Sequence, residues 1–203
     1  DTGANPSTPV QAVVDGVVQD WLAANGRTSI PLTVAHTHGH FDHIQADAQF
    51  EDIPYVKRVV KWQSWEALPF GGFNDYPNDK PVIDLGNRKI DVLGTPGHHP
   101  VSMSFYDRDT QLLLTADIVY PGHLFVFSAP AWQDFLASLR RLISFATENP
   151  LRWVVGCHVE MSDTPFEPYA YGTKVQPDEH AVEFSADILL DVYQAARGQG
   201  DTP

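Results

Sequence analysis

The sequence predicts a layered α/β fold in which buried strands and amphipathic helices support a metal site. Residues of metal-binding type follow apolar strands at four places: His38, His98, Asp117 and His158. A long helix is predicted at residues 132–146, because leucine, isoleucine and phenylalanine recur there on one face. Since loops converge at strand ends in layered α/β folds, the four residues are expected to lie close together.

Composition limits the chain to one domain and removes two classes of partner. Its 203 residues, 43% of them hydrophobic, predict a single globular domain over residues 1–203. The net charge of −13 disfavours nucleic acid and anionic membrane surfaces, which need basic patches. No apolar run approaches the roughly 18 residues of a membrane span. We therefore expect a small-molecule substrate, with no nucleic acid and no membrane as partner.

The single cysteine, Cys157, excludes an internal disulfide framework. Cysteine usage therefore does not indicate the redox compartment, and both a cytoplasmic and an exported location are left open. As a residue that directly precedes a histidine ligand on a strand, Cys157 is expected to face the core.

Four elements are predicted in the first third of the chain. A helix from about Thr8 to Gly26 is favoured by valines at helical spacing, with Pro9 in its first turn. A buried strand at 31–35, a polar helix at 46–50 and a strand at 55–60 follow. The next stretch, 62–73, contains two tryptophans, two phenylalanines and a glycine pair. It is interpreted as an irregular loop, either covering a binding site or forming a satellite hydrophobic cluster.

The remaining elements alternate between strands and helices. A hairpin is predicted with arms at 81–85 and 89–93, because the second arm alternates cleanly between apolar and polar residues. Strands at 102–106, 112–117 and 153–158 follow, with the helix at 132–146 between the last two. A closing helix is predicted from Pro177 or Asp178 to Ala196.

The histidine cluster at 38–43 favours a metal site over a solvated turn. Three imidazoles and a carboxylate follow a buried strand directly, and burying them unpaired would cost several kcal/mol. A divalent cation offsets that cost, because imidazole and carboxylate are its natural ligands. On an extended turn His38 and His40 lie on one side, while Asp42 and His43 lie past the bend. This arrangement predicts two neighbouring metals.

The pattern from His38 to His158 resembles the metallo-β-lactamase superfamily. The resemblance rests on the run of His38, His40, Asp42 and His43, on Thr-Pro-Gly before His98, on Thr-Ala before Asp117, and on Gly-Cys before His158. It implies an αββα sandwich, two mixed sheets with helices outside. In that family N-terminal strands normally precede a turn like Asp1-Thr2-Gly3, so this chain is expected to lack them and to expose a sheet edge and an apolar patch.

The resemblance also implies a ligand set for two divalent metals, expected to be zinc, with iron or manganese as alternatives. The first metal is expected to be bound by His38, His40 and His98. The second is expected to be bound by Asp42, His43 and His158. Asp117 resembles the carboxylate that bridges them, at a separation of about 3.5 Å.

These assignments imply a dinuclear metal-dependent hydrolase. A metal-bridging hydroxide is expected to attack the carbonyl of a thioester or ester-like small molecule, with Asp42 orienting it and shuttling its proton. Asp117 at the bridging position is similar to glyoxalase II and lactonase relatives, whereas true β-lactamases typically carry Cys or Ser there. Glyoxalase II relies on a further C-terminal helical domain to bind glutathione, and because one helix is predicted in the residues after His158, glutathione binding is not expected.

Several alternatives stay open at this point. Tyr120 resembles a tyrosine of acyl-homoserine lactonases that assists the carbonyl oxygen, and it is equally compatible with plain packing. A lactonase is the main alternative function, ahead of a β-lactamase or a di-iron oxygen or redox protein. A second copy of the chain, or the missing N-terminal segment, is left open as a macromolecular partner.

The other histidines are not expected to bind metal. His99 points away from His98 on an extended chain, and His36 is interpreted as packed or hydrogen-bonded behind the ligands. His123 could line the pocket or lie on the surface. His180 is expected on the surface.

Overall fold

Residues 1–199 are described by the structure, a computed structural model; the end of the predicted domain, residues 200–203, lies outside them. The chain forms two compact units, one comprising Asp1–Phe70 and the other beginning at Gly71. The assignment of residues 1–203 to one domain stays a prediction.

The first unit contains a two-stranded parallel sheet and four helices. Its elements in order are α1 (Val10–Ala24), β1 (Leu32–Val34), α2 (Phe41–Ile44), α3 (Ala48–Glu51), β2 (Val56–Val59) and α4 (Ser64–Gly71). Strands β1 and β2 pair in parallel, with Leu32 opposite Val56 and Val34 opposite Val59. The parallel pairing requires a long connection, and the segment from Ala35 to Tyr55 with α2 and α3 supplies it.

Helix α1 confirms the predicted helix with slightly tighter limits. Pro9 precedes it, and Gly26 follows it at a φ of +60°, a left-handed conformation that suits glycine after a helix. Its apolar stripe is mostly solvated, however, since Val13 is 65% exposed and only Leu22 is buried. The helix packs on α3, which has a single turn and covers only part of that stripe.

Helix α4 replaces the loop predicted for the aromatic segment, so that prediction is wrong. The backbone amides of Glu66 and Ala67 both donate to the carbonyl of Gln63, which starts the helix. Pro69 lies inside it. In a helix of eight residues the missing proline amide removes one hydrogen bond, and Gly71 ends the element two residues later.

The second unit is built on a six-stranded mixed sheet in the order β3-β4-β5-β6-β7-β8. The elements are β3 (Val82–Asp84), β4 (Lys89–Gly94), β5 (Met103–Asp107), β6 (Leu112–Ala116), α5 (Ala129–Glu148), β7 (Trp153–Gly156), β8 (Glu183–Phe184) and α6 (Ile188–Gly198). All neighbours are antiparallel except β6 and β7, which are parallel and joined by α5. Consequently β4, β6 and β7 run in the same direction and end at the same side of the sheet.

Helix α5 covers the sheet and forms the core of this unit. It begins after Ser128, whose hydroxyl accepts from the amide of Ala131, and it confirms the predicted helix at 132–146 with longer limits. Its buried face meets side chains from the strands and from α6: Phe135, Leu139 and Leu142 pack with Leu93, Leu113, Val154 and Leu189. Within residues 1–199 neither α5 nor any other helix has the length and apolar character that crossing a membrane requires.

The closing helix begins ten or eleven residues later than predicted, at Ile188. The preceding residues bond to neighbouring strands: Glu183 and Phe184 pair with β7, and the amide of His180 donates to the carbonyl of Met161. Backbone groups that are engaged in this way cannot form helical hydrogen bonds.

Two arginine–aspartate pairs stabilise the hairpin and the strand beside it. Arg88 donates through Nε to Oδ1 of Asp107 at 3.0 Å, and its second contact is to Oδ2. Arg108 binds Asp91 through two bonds of 2.7 and 2.6 Å. The Arg88 guanidinium holds the pKa of the largely buried Asp107 carboxyl well below its usual range, at about 2.

Replacing Asp107 by Asn is expected to lower the free energy of unfolding at neutral pH by about 1–2 kcal/mol. The expected loss is modest because Arg88 is half exposed. Because the folded-state pKa lies below that of an unfolded aspartate, about 3.9, the stabilisation is present above about pH 4 and is lost as the pH falls toward 2. Urea unfolding of both proteins between pH 5 and pH 2 measures it. Asp84→Asn, an exposed change on the same hairpin, is the control, and equal stability of the D107N variant and the parent at neutral pH would contradict the expectation.

Candidate metal centre

In the first unit, the loop after β1 brings His38 and His40 together. Nε2 of His38 lies 3.0 Å from Nδ1 of His40, and the ring centroids are 4.7 Å apart. This spacing is close to that of two ligands around one cation at 2.0–2.1 Å. Gly39 between them is required by packing, because a Cβ there would lie 2.2 Å from the Trp62 ring.

Asp42 and His43 lie on α2, which begins directly after His40. The backbone of His40 is extended and that of Phe41 is helical, so the chain bends at the position that the sequence predicts. Nε2 of His43 lies 3.6 Å from Oδ2 of Asp42, and its ring centroid is 4.0 Å from that of His38. All four ligands predicted for this unit therefore form one cluster.

Asp1 and Thr37 support this cluster, and sequence reasoning missed both. The Asp1 carboxylate accepts from the Thr37 amide at 2.7 Å and from the Thr37 hydroxyl at 2.8 Å. Its Oδ2 also lies 3.1 Å from Nδ1 of His43. A carboxylate on Nδ1 leaves Nε2 of the imidazole as the metal-binding atom. The only signal in the sequence is the Asp-Thr-Gly run. Its composition indicates a turn but does not reveal the contact with His43.

His36 is held away from the ligands, as predicted for a packed residue. Nδ1 lies 2.9 Å from the Val60 carbonyl, and Nε2 lies 2.9 Å from Oδ1 of Asp47. The same Asp47 oxygen accepts from the Thr2 hydroxyl. Both ring nitrogens of His36 are therefore engaged behind the cluster.

In the second unit, Asp117 lies between two imidazoles. Its Oδ2 is 3.3 Å from Nε2 of His98 and 3.2 Å from Nε2 of His158. His98 and Asp117 are buried, and His158 is partly exposed. Nδ1 of His98 is 2.8 Å from the Phe125 carbonyl, an acceptor that places the proton on Nδ1 and leaves Nε2 for a metal.

The sheet topology explains why these three residues meet. Strands β4, β6 and β7 end at the same side of the sheet, and each is followed within a few residues by one of the three. Ala116 turns the chain into Asp117 at a φ of +53°. The loop that carries His98 is anchored on α5, because the Ser138 hydroxyl donates to the Pro96 carbonyl at 2.6 Å.

The donor atoms of the two ligand clusters, one in each unit, are of the kind that binds divalent cations. Every predicted ligand is an imidazole or a carboxylate, the set that zinc, iron and manganese accept. In His43 and His98, an acceptor on Nδ1 leaves Nε2 as the donor atom. Such pairs of ligand and supporting acceptor are typical of metal-binding histidines.

Tyr120 lies directly beside the cluster of His98, Asp117 and His158. The residue is buried, its ring is 5.2 Å from that of His158, and its hydroxyl donates to the His123 carbonyl. A Cβ on Gly156 would lie 2.3 Å from the Tyr120 Cβ, so the side chain is tightly enclosed. The catalytic role of Tyr120 requires its hydroxyl to exchange that hydrogen bond, and the role stays a prediction.

Outside the ligand set, the orientation predicted for Cys157 is wrong. Cys157 is exposed and does not face the core. The register between β6 and β7 shifts after Leu114, and Cys157 lies beyond the end of β7, so strand alternation no longer determines its direction.

The remaining histidines have other recorded contacts or are exposed. Nδ1 of His99 contacts the backbone of Val101, and His123 is exposed. His180 is expected on the surface from the sequence, but it is half-buried, with its ring 5.1 Å from that of Phe184.

Comparison with known protein families shows which family the chain belongs to. The family model described as the metallo-beta-lactamase superfamily matches residues 31–149, more than half of the sequence. The chain belongs to the metallo-β-lactamase superfamily. A metallo-β-lactamase from Pontibacter korlensis has the same fold, with a TM-score of 0.54, 14% identity, and coverage of 98% of this chain and 81% of that one. The predicted family and α/β fold are confirmed.

Two curated relatives are hydrolases. Human acyl-coenzyme A thioesterase MBLAC2 is 28% identical over 187 residues, covering 78% of this chain and 67% of that protein. Hydroxyacylglutathione hydrolase of Mesorhizobium japonicum is 27% identical over 148 residues, covering 70% and 57%. These relatives and the family confirm the predicted class, a hydrolase of a superfamily that binds divalent metals.

Replacing Asp1 by Asn is expected to weaken metal binding about 10- to 100-fold, because the carboxylate on Nδ1 of His43 is lost. Competition with a chromophoric chelator measures the affinity. Asp20→Asn, an exposed change on α1, is the matched control. Unchanged affinity in the D1N variant, with the parent's thermal stability, would show that Asp1 does not support the ligand.

Proposed function

We propose that this protein is a dinuclear metal-dependent hydrolase of thioesters. The observation that carries the proposal is Asp117, whose Oδ2 lies within 3.3 Å of Nε2 of both His98 and His158. A carboxylate shared by two imidazoles suits a bridging ligand, and the bridging aspartate is similar to that of thioester- and lactone-cleaving relatives.

The proposal assigns the seven ligands as the superfamily pattern implies. His38, His40 and His98 would hold one metal, and Asp42, His43 and His158 the other, with Asp117 shared. Zinc suits the imidazole-rich set, and iron or manganese also accept it. When bound, such metals lower the pKa of a coordinated water to about 7 and polarise a carbonyl oxygen.

The chain's own residues orient the reaction and move its proton. The Phe125 carbonyl fixes the tautomer of His98, and Asp1 does the same for His43. Asp42 is the carboxylate that would orient the nucleophile and transfer its proton to the leaving thiol. Tyr120, beside His158, is placed to contact a substrate carbonyl if its hydroxyl leaves the His123 carbonyl.

Thioesters are favoured by the names of the relatives. One is an acyl-coenzyme A thioesterase, and hydroxyacylglutathione, the substrate in the other name, is also a thioester. A lactonase is the second candidate, favoured by the position of Tyr120 against His158. A β-lactamase is less favoured because Asp117 occupies the position where those enzymes typically carry Cys or Ser.

A substrate panel tests the reaction class. The zinc-loaded protein is assayed with acyl thioesters, homoserine lactones, β-lactams and phosphodiesters, and bound metal is counted by elemental analysis. Thioester turnover with two metals per chain supports the proposal. Turnover of lactones alone favours the second candidate, and one metal per chain or no turnover of any substrate contradicts a dinuclear thioesterase.

Replacing Asp42 by Asn is expected to lower kcat for a thioester about 100-fold or more, the usual contribution of a positioned acid or base. Steady-state kinetics and metal content are measured together. Asp52→Asn, an exposed change nearby, is the control. A lowered kcat with full metal content supports the proton-transfer role, and parallel loss of metal and activity identifies Asp42 only as a ligand. Unchanged turnover contradicts both roles.

A further inference from the structure

An apolar cavity of about 720 Å³ lies in the second unit, beside the half-site that contains Asp117 and His158. Its walls come from the loop at 120–124, from the segment at 161–168, from β8, and from the helices α5 and α6. Helix α6 contributes Ile188 and Val192, one turn apart, and α5 contributes Trp132 and Phe135. The volume falls within the range of roughly 300–1,000 Å³ that is typical of ligand pockets.

The chemistry of the walls selects a neutral aliphatic ligand. Among residues 1–199, no lysine or arginine lines the cavity, and Asp163 is its one acidic residue. A free fatty acid or a phosphate would therefore find no opposite charge there. Two histidines also line the cavity. Nδ1 of His180 contacts the Ala181 carbonyl, and His123 is exposed.

Tyr120 connects this cavity to the half-site. The same side chain lines the cavity and places its ring 5.2 Å from the ring of His158. Two glycines leave the space that it occupies, since a Cβ on Gly122 would lie 2.4 Å from its ring and one on Gly156 would lie 2.3 Å from its Cβ. The loop is also tied to Glu160, whose carboxylate accepts from the His123 amide and whose amide donates to the Pro121 carbonyl.

The opening of the cavity carries an exposed aromatic residue. Phe166 lines the cavity, yet it is 92% exposed, and its φ is +67°. A bulky residue in this left-handed region is strained, and such strain gathers at binding sites. A ligand that filled the cavity would also cover part of this ring and gain from its burial.

We propose that this cavity binds the aliphatic acyl chain of the thioester substrate, with the chain passing Tyr120 toward the carbonyl held near His158 and Asp117. The inference rests on the proposed thioesterase function and adds the part of the substrate that this protein selects. Specificity arises from burial of the chain, because each methylene removed from water favours binding and the walls offer no lysine or arginine to recognise an anionic group.

The length dependence of hydrolysis tests the assignment. Thioesters of one thiol with acyl chains from butanoyl to hexadecanoyl are compared by kcat/KM. In the wild-type protein kcat/KM is expected to rise about two- to fourfold per added methylene until the cavity is full. No rise with chain length, with thioester turnover intact, overturns the cavity assignment and leaves the proposed function standing.

A cavity-filling variant and a matched control localise the effect. Ala195→Trp places an indole in the cavity from an exposed position on α6, whereas Gln194→Trp adds the same indole at the neighbouring residue outside the lining. The A195W variant is expected to lose about tenfold in kcat/KM for hexadecanoyl thioester and about twofold or less for butanoyl thioester. Equal effects of the two tryptophan variants overturn the assignment.

Direct binding of dodecanol, measured by titration calorimetry, separates this inference from the proposed function. Saturable binding that Ala195→Trp abolishes and Gln194→Trp preserves is expected. If no thioester is hydrolysed and this binding pattern holds, the thioesterase proposal fails and the cavity remains a site for aliphatic chains. If dodecanol binds none of the proteins, or all of them equally, the cavity assignment is overturned.

Discussion

The burial of the Asp117 carboxylate between two imidazoles is the constraint on which the second unit depends. A carboxylate with this little exposure is costly unless opposite charge or hydrogen-bond donors surround it. The sheet brings imidazoles to it because β4, β6 and β7 end together, so that residues far apart in sequence converge on Oδ2. The contact between His98 and the Phe125 carbonyl then fixes which nitrogen faces the carboxylate. With its proton on Nδ1, His98 offers no hydrogen-bond donor at Nε2, and a divalent cation held by these side chains would supply the opposite charge that the buried carboxylate needs.

The parts of the fold that are determined locally could be predicted from the sequence. The hairpin, the strands β5 to β7 and the helix α5 have periodic apolar patterns, and their positions agree with the predictions within a few residues. Each predicted ligand follows one of these elements or β1, and this is why the ligand clusters can be identified from the sequence. Elements that depend on distant partners are not predictable in the same way. Strand β8 exists because residues 183 and 184 bond to β7, and no local pattern distinguishes such a pair from the start of a helix.

The same distinction applies to the site. A histidine that follows a strand is visible in the sequence, whereas the group that orients it is not. Asp1 supports His43 across 42 positions of sequence, and the Phe125 carbonyl supports His98 without any side-chain signature at all. Cys157 shows the limit of strand alternation, which holds inside a paired strand and fails one residue past its end. Sequence reasoning therefore identifies candidate metal-binding residues better than the groups that position them.

The division between chemistry and selectivity follows from these contacts. His98, Asp117 and His158 lie at the ends of strands, where the sheet and α5 hold them, and a carbonyl presented there would meet these groups. The residues that surround the cavity come instead from an irregular loop, a two-residue strand and the last helix. Tyr120 belongs to both regions, since its ring contacts that of His158 and lines the cavity, and Gly122 and Gly156 leave the space that its side chain occupies. Under the proposed assignment, a change of acyl chain would require changes in the cavity walls, while the ligand set and its supporting acceptors could stay as they are.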